Sequence, residues 1–134
     1  MAKVTGLGWT AFDIDDEAGS AQDLRDNTNT LEFSTPRAVI EDTGLGVSAM
    51  ERLHGLADFS FTANGTADFA SSDSIHSVAA DLSNVRTVAI TVAAQILSNE
   101  SLLTDYAYNR ADDGSLRWTL PGVLANGVVP TWTT

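Results

Sequence analysis

Cysteine is absent from the chain, which excludes disulfides, thiolate metal centres and cysteine nucleophiles together. Histidine is nearly absent. His54 and His76 stand far apart with no cluster of ligand residues beside either, so zinc has little to hold it. Basic residues are scarce as well: 7 Lys and Arg face 18 Asp and Glu, for a net charge of −11. A groove that grips nucleic acid needs clustered cations to displace counterions, and here the cations are scattered singly. Tight DNA or RNA binding is thereby disfavoured, whereas repulsion of a polyanion that slides past is allowed. No apolar run approaches the ~18 residues of a membrane helix. The opening stretch Met1 to Gly6 lacks the apolar centre of a secretion signal, so none is expected.

What is present reads as one globular domain over residues 1–134, with 43% hydrophobic residues to fill a core. The pattern is mostly strands and turns. Residues 4–14 alternate loosely, with Leu7, Trp9 and Ala11 on one side and Phe12 and Ile14 on the other; Gly6 and Gly8 interrupt this strand. The polar run Asp15 to Ser20 predicts a turn. Leu31 and Phe33 share a face of the next strand, and Pro36 ends it for want of an N–H. Residues 37–57 read as a long irregular loop that closes in a short helical piece, with Met50, Leu53 and Leu56–Ala57 at helical spacing and Ser48 as cap.

Phe59 and Phe61 alternate into Asn64-Gly65, a dipeptide suited to a tight turn. A helix is expected over residues 72–82, where Ile75, Val78, Ala79 and Leu82 recur at i, i+3, i+4 and i+7 behind Ser72 or Asp73. Val88, Ile90 and Val92 then line one strand face. Asp113-Gly114 predicts a hairpin whose return strand carries Leu116, Trp118 and Leu120 on one side, and Asn126-Gly127 predicts a turn. The fold expected from the residues is a mainly β sandwich or barrel with one flanking α-helix.

Sites for chemistry fail one by one. Gly44-Leu45-Gly46-Val47-Ser48-Ala49 fits the loose dinucleotide pattern G-x-G-x-x-A, but no long helix or parallel return strand follows it. Its glycines are better read as loop positions that use glycine's backbone freedom. The acidic run from Asp13 resembles a calcium loop until the sixth and twelfth places, which hold Ala18 and Leu24 instead of Gly and Glu. Ser101, Thr104, Asp105, Tyr106 and Tyr108 form no nucleophile-and-base pattern. Nothing here predicts an enzyme or a cofactor.

Three phrases carry a resemblance: residues 33–65, "FSTPRAVIEDTGLGVSAMERLHGLADFSFTANG"; residues 102–127, "LLTDYAYNRADDGSLRWTLPGVLANG"; and the ending "VPTW" at 129–132. Together they resemble the major tail (tail tube) proteins of long-tailed bacteriophages, above all those that infect actinobacteria, over roughly residues 10–132. The resemblance implies a tail-tube-like β-sandwich subunit that builds rings, usually hexameric. The rings stack into a tube that conducts DNA during ejection. It implies a virion tail protein assembled in the host cytoplasm, with itself, tape-measure and tail-end proteins as partners and no membrane. The long loop around 37–57 would then touch a neighbouring subunit, with Arg37, Gly44, Gly46, Met50, Leu53 and Leu56 as contact residues. Asp13, Asp15, Asp16, Glu17, Asp112 and Asp113 would face the lumen and repel phosphate. Sheet edges in residues 85–94 and 101–110 would pair between subunits. A neck or capsid-decoration protein of related fold is the near alternative, and a small-ligand-binding β-barrel the remote one.

Overall fold

The computed structural model describes residues 3–133. It is mainly β, antiparallel throughout its ladders, with one short helix. After a 3₁₀ turn at Gly6–Gly8 come β1 (Trp9–Asp15), β2 (Ala21–Asp23), β3 (Thr28–Ser34), β4 (Arg37–Glu41), β5 (Arg52–Ala57) and β6 (Ser60–Thr66). The helix α1 (Ile75–Ala79) follows. The chain ends in β7 (Arg86–Val92), β8 (Gln95–Leu103), β9 (Ala107–Arg110), β10 (Leu116–Leu124) and β11 (Trp132–Thr133). Nine strands form one sheet in the order β2-β1-β7-β8-β10-β6-β3, with β11 beside β8 and β9 beside β10. β4 and β5 form a separate two-stranded sheet.

The large sheet rolls around a core because its strands bury every second residue. Phe12 and Ile14 of β1, Phe61 and Ala63 of β6, Val88 and Ile90 of β7, Leu97 and Leu103 of β8, and Trp118 and Leu120 of β10 are buried. This alternation places one face on the core and the other in water. Near the two ends of the sheet path, Trp9 on β1 meets Phe33 on β3 edge-on, with ring centroids 5.6 Å apart.

Pro121 lies inside β10, an unusual place for a residue that cannot donate to a ladder. It sits where β10 changes partner: Leu116–Thr119 pair with β9, and Gly122–Leu124 pair with β8. The missing N–H falls in the gap between the two ladders. Gly122 next to it has no room for a side chain, because a Cβ there would run into the Phe61 ring.

Several local expectations need correction. Asn64-Gly65 is no turn but part of β6, paired on one side with β10 and on the other with β3. Glycine stands at 65 because a Cβ would collide with the Asn27 carbonyl oxygen. The helix is shorter than 72–82, and its cap is Ser74, neither Ser72 nor Asp73. Ser74 Oγ accepts from Ser77 N (3.2 Å), and Ser77 Oγ accepts from Ser74 N (3.4 Å). Residues 37–57 contain no helical piece; they form the β4–β5 hairpin, on which His54 also lies. Gly6 and Gly8 belong to the 3₁₀ turn, and the strand proper begins at Trp9.

The run Val85 to Leu97 hides a reversal. β7 and β8 pair from Arg86↔Ser101 to Val92↔Gln95, so Ala93 and Ala94 alone make the turn, at φ of 50° and 66°. Two positive φ values are the signature of a type I′ hairpin, which favours Asn-Gly. Alanine in the left-handed region costs on the order of 1 kcal/mol per residue. Ala93→Asn with Ala94→Gly is therefore expected to stabilise the protein by about 1 kcal/mol, raising Tm by a few degrees. Thermal unfolding checks this, and an unchanged or lower Tm would contradict the turn geometry.

Candidate assembly surfaces

The β4–β5 hairpin is the most exposed apolar feature. Its register pairs Ile40 with Leu53, Val39 with His54 and Glu41 with Arg52. Ala38, Ile40, Leu53 and Gly55 thus share one face. Gly55 fits closely there, since a Cβ would come within 3.1 Å of Ala38 Cβ and 3.4 Å of the Ile40 side chain. Beyond the strands, Asp42 N donates to Glu51 O (2.9 Å) and Glu51 N donates to Thr43 Oγ1 (3.0 Å), closing the neck of the tip. Val39, Ile40, Leu45, Val47, Met50, Leu53 and Leu56 are all exposed, and none belongs to the core. A hairpin of two strands is marginal in water when it stands alone, and exposed apolar patches are the usual mark of interaction sites.

The contact candidates Arg37, Met50, Leu53 and Leu56 all lie on or beside this hairpin and are exposed. Gly44 and Gly46 lie in its tip, but neither has a positive φ and neither would crowd a Cβ. The loop does not require glycine at 44 or 46, which corrects the reading of those positions.

The six acidic candidates fall into two groups. Asp13 and Asp15 are strand residues of β1 and half-buried, not members of an exposed turn; Asp16 and Glu17 begin the β1–β2 turn. Asp16 organises that turn by accepting from Ser20 N (2.9 Å) and Gln22 Nε2 (3.1 Å). Asp13 pairs across the ladder with Asp23. Burial pushes the Asp13 carboxyl up, the charges of Asp23 and Asp73 push it further, and Arg25 opposes them. Asp112 and Asp113 sit in the β9–β10 turn, where Ser115 N donates to Asp113 Oδ1 (2.9 Å) and holds that carboxyl below its usual range. That turn is the hairpin expected from Asp113-Gly114, and Gly114 takes the left-handed conformation at φ 91°.

Of the expected edge strands, β7 is ruled out: it lies inside the sheet between β1 and β8. Residues 101–110 divide between β8, a link and β9, and only β9 pairs on a single side. Tyr106 lies in the link and Tyr108 on β9. They join Phe69 and His76 in an aromatic group: Phe69 stacks on Tyr108 at 5.8 Å, and His76 Nδ1 lies 3.4 Å from the Tyr106 hydroxyl. The Tyr106 and Tyr108 hydroxyls hydrogen-bond each other. Burial raises the Tyr106 hydroxyl well above its ordinary range, with Tyr108 adding to the rise.

Sequence reasoning missed a cavity of about 450 Å³ beside the Trp9–Phe33 contact, lined by residues of β1, β3 and the 3₁₀ turn at Arg25–Asn27. It forms between segments distant in sequence, so no local pattern announces it. Among the described residues, no group of three or more His, Asp or Glu is arranged to hold a metal ion, and no helix is long and apolar enough to cross a membrane.

No protein-family model and no curated protein matches the sequence. Among solved structures, the fold is similar to a chain from the tail of an empty gene transfer agent particle, determined by helical refinement with C6 symmetry. That match has a TM-score of 0.78 at 16% identity and covers 99% of this chain and 100% of the other. A chain from the virion of the native gene transfer agent particle matches at a TM-score of 0.76 and 15% identity, again covering 99% and 100%. The two chains share this fold from end to end.

Proposed function

We infer that this chain is a structural subunit of a phage-like tail, forming six-fold rings that stack into a tube, and that it is not an enzyme. The observation that carries the reading is the end-to-end likeness to a chain of a C6-symmetric tail. It agrees with three phrases of the sequence that resemble tail tube proteins, and with a hairpin whose apolar residues lack cover in the protomer. The actinobacteriophage affinity rests on those phrases alone; the structural neighbours are gene transfer agent particles. Residues 1–134 act as one tail-tube-like domain, located in the virion tail and assembled in the bacterial host cytoplasm. Its partners are further copies of itself and other tail proteins such as tape-measure and tail-end proteins.

The net charge of −11 has a use in this setting. A ring repeats each carboxylate around a channel, and low-dielectric walls focus the field, so DNA passes without sticking. Asp16, Glu17, Asp112 and Asp113 lie in turns, Asp16 half-buried and the other three exposed, and are better placed for this than Asp13 and Asp15 within β1. Replacing those four by Asn or Gln is expected to slow DNA ejection from tails that assemble normally. Unchanged ejection would leave the acidic turns a role in solubility alone.

Negative-stain electron microscopy of the concentrated protein tests the main reading. Six-fold rings or tubes are expected. Strict monomers would overturn it, and trimers or single unstacked rings would indicate the decoration or neck role instead.

A further inference from the structure

We propose that the tip of the β4–β5 hairpin, led by Leu45, seats in the cavity between β1 and β3 of a second copy of this chain. This rests on the tube reading above and names the receptor for the hairpin within it.

The cavity lies where the large sheet fails to close. β1 and β3 stand near opposite ends of the strand order, and the edge-on contact of Trp9 with Phe33 joins them on the core side. Trp9, Phe12 and Leu31 supply an apolar wall, and Thr28 and Asn29 a polar one. The volume of about 450 Å³ is within the range of roughly 300–1,000 Å³ that takes a ligand the size of a few residues. The tip is an object of that size. Leu45 is fully exposed at 108% of its reference area, with Val47 and Met50 exposed behind it.

Charge matches this occupant to this cavity. Arg25 is the one cation among the residues lining the cavity, whereas Glu41, Asp42 and Glu51 outnumber Arg52 at the neck of the tip, all four exposed. Opposite charges at the rim set orientation and favour encounter.

The absence of cysteine makes a clean test possible. Leu45→Cys and Asn29→Cys are made as separate proteins, mixed in equal amounts, assembled and oxidised. Both positions are exposed in the protomer, so both variants are expected to fold. A disulfide dimer that needs both variants is expected, at least tenfold above a control pairing Leu45→Cys with Asn109→Cys on β9. Assembled particles that yield no 45–29 dimer above the control would overturn the proposal and leave the tube reading intact. If the unaltered protein forms no rings or tubes, the tube reading fails and the proposal with it. As an independent arm, Leu45→Asp is expected to raise the concentration needed for assembly at least tenfold, whereas Leu45→Met leaves it within twofold. Equal assembly by Leu45→Asp and Leu45→Met would also overturn the proposal.

Discussion

Met50→Asp combined with Leu53→Asp is expected to give a protomer that folds and unfolds normally and does not assemble. The two side chains are 50% and 56% exposed, and neither contributes to the core. Substitutions at such positions usually shift stability by no more than about 0.5 kcal/mol. The protomer contacts at stake are the cross-strand pairing of Leu53 with Ile40 and the weak bond that Thr43 Oγ1 donates to Met50 Sδ (3.9 Å), within a hairpin that stands apart from the main sheet. Assembly is different. If the hairpin is covered by a neighbour, the double variant drives two unpaired carboxylates into an interface, at a cost of several kcal/mol. Each 1.4 kcal/mol is tenfold in association, so a loss of about 4 kcal/mol lowers it roughly a thousandfold. Sedimentation velocity measures assembly, and urea unfolding measures the protomer. Assembly at the unaltered concentration would show that the hairpin meets solvent in the particle. Loss of cooperative unfolding would place these residues in the protomer's own fold, against the exposure seen here.

The same two residues show why the hairpin was misread as helical from sequence. Met50, Leu53 and Leu56 repeat at three-residue intervals, and that interval reports a helix only when one face is buried. Here no face is buried within the chain, so the spacing carries no information about its own backbone. Where burial acts on one side, the period was readable. Val88 and Ile90, Trp118 and Leu120, and Phe59 and Phe61 were placed on the faces where the structure buries them. Turns were readable where the backbone needs a special residue, as at Gly114. They were unreadable at Ala93-Ala94, whose left-handed geometry is imposed by the β7–β8 pairing in spite of the residues. Asn64-Gly65 erred in the opposite direction. Its glycine answers to the approach of Asn27, 38 positions earlier in the chain, which no window around Gly65 contains. The acidic groups could be located near their turns by composition, but the raised carboxyl of Asp13 depends on its burial in β1 and on the charges of Asp23 and Asp73, which lie far off in sequence.

Arg86→Met is expected to destabilise the protomer by about 3–5 kcal/mol, because it strips the donors from several backbone carbonyls at about 1–3 kcal/mol each. Arg86 is the first residue of β7 and is 1% exposed. Its guanidinium is surrounded by backbone carbonyls. Nη1 donates to Val78 O (2.8 Å) and Asp15 O (3.1 Å), Nε donates to Ser83 O (3.2 Å), and Nη2 donates to Asp81 O and Ser83 O. Those carbonyls belong to the end of β1, to α1 itself and to the segment that leaves it. A five-residue helix has almost no stability of its own, so this side chain fastens it to the sheet. Methionine fills similar space but removes every donor, and each buried carbonyl left unpaired costs about 1–3 kcal/mol. Arg86→Lys keeps the charge but gathers its donors on one nitrogen, which cannot span carbonyls on two separate elements. It is expected to recover only part of the loss. Arg117→Met, at an exposed position of β10, is the control and should stay within about 0.5 kcal/mol of the unaltered protein. Urea unfolding at neutral pH, under conditions where the protein is monomeric, separates these outcomes. A loss below about 1 kcal/mol for Arg86→Met would mean that water reaches those carbonyls and that the guanidinium is not what holds α1 to the sheet.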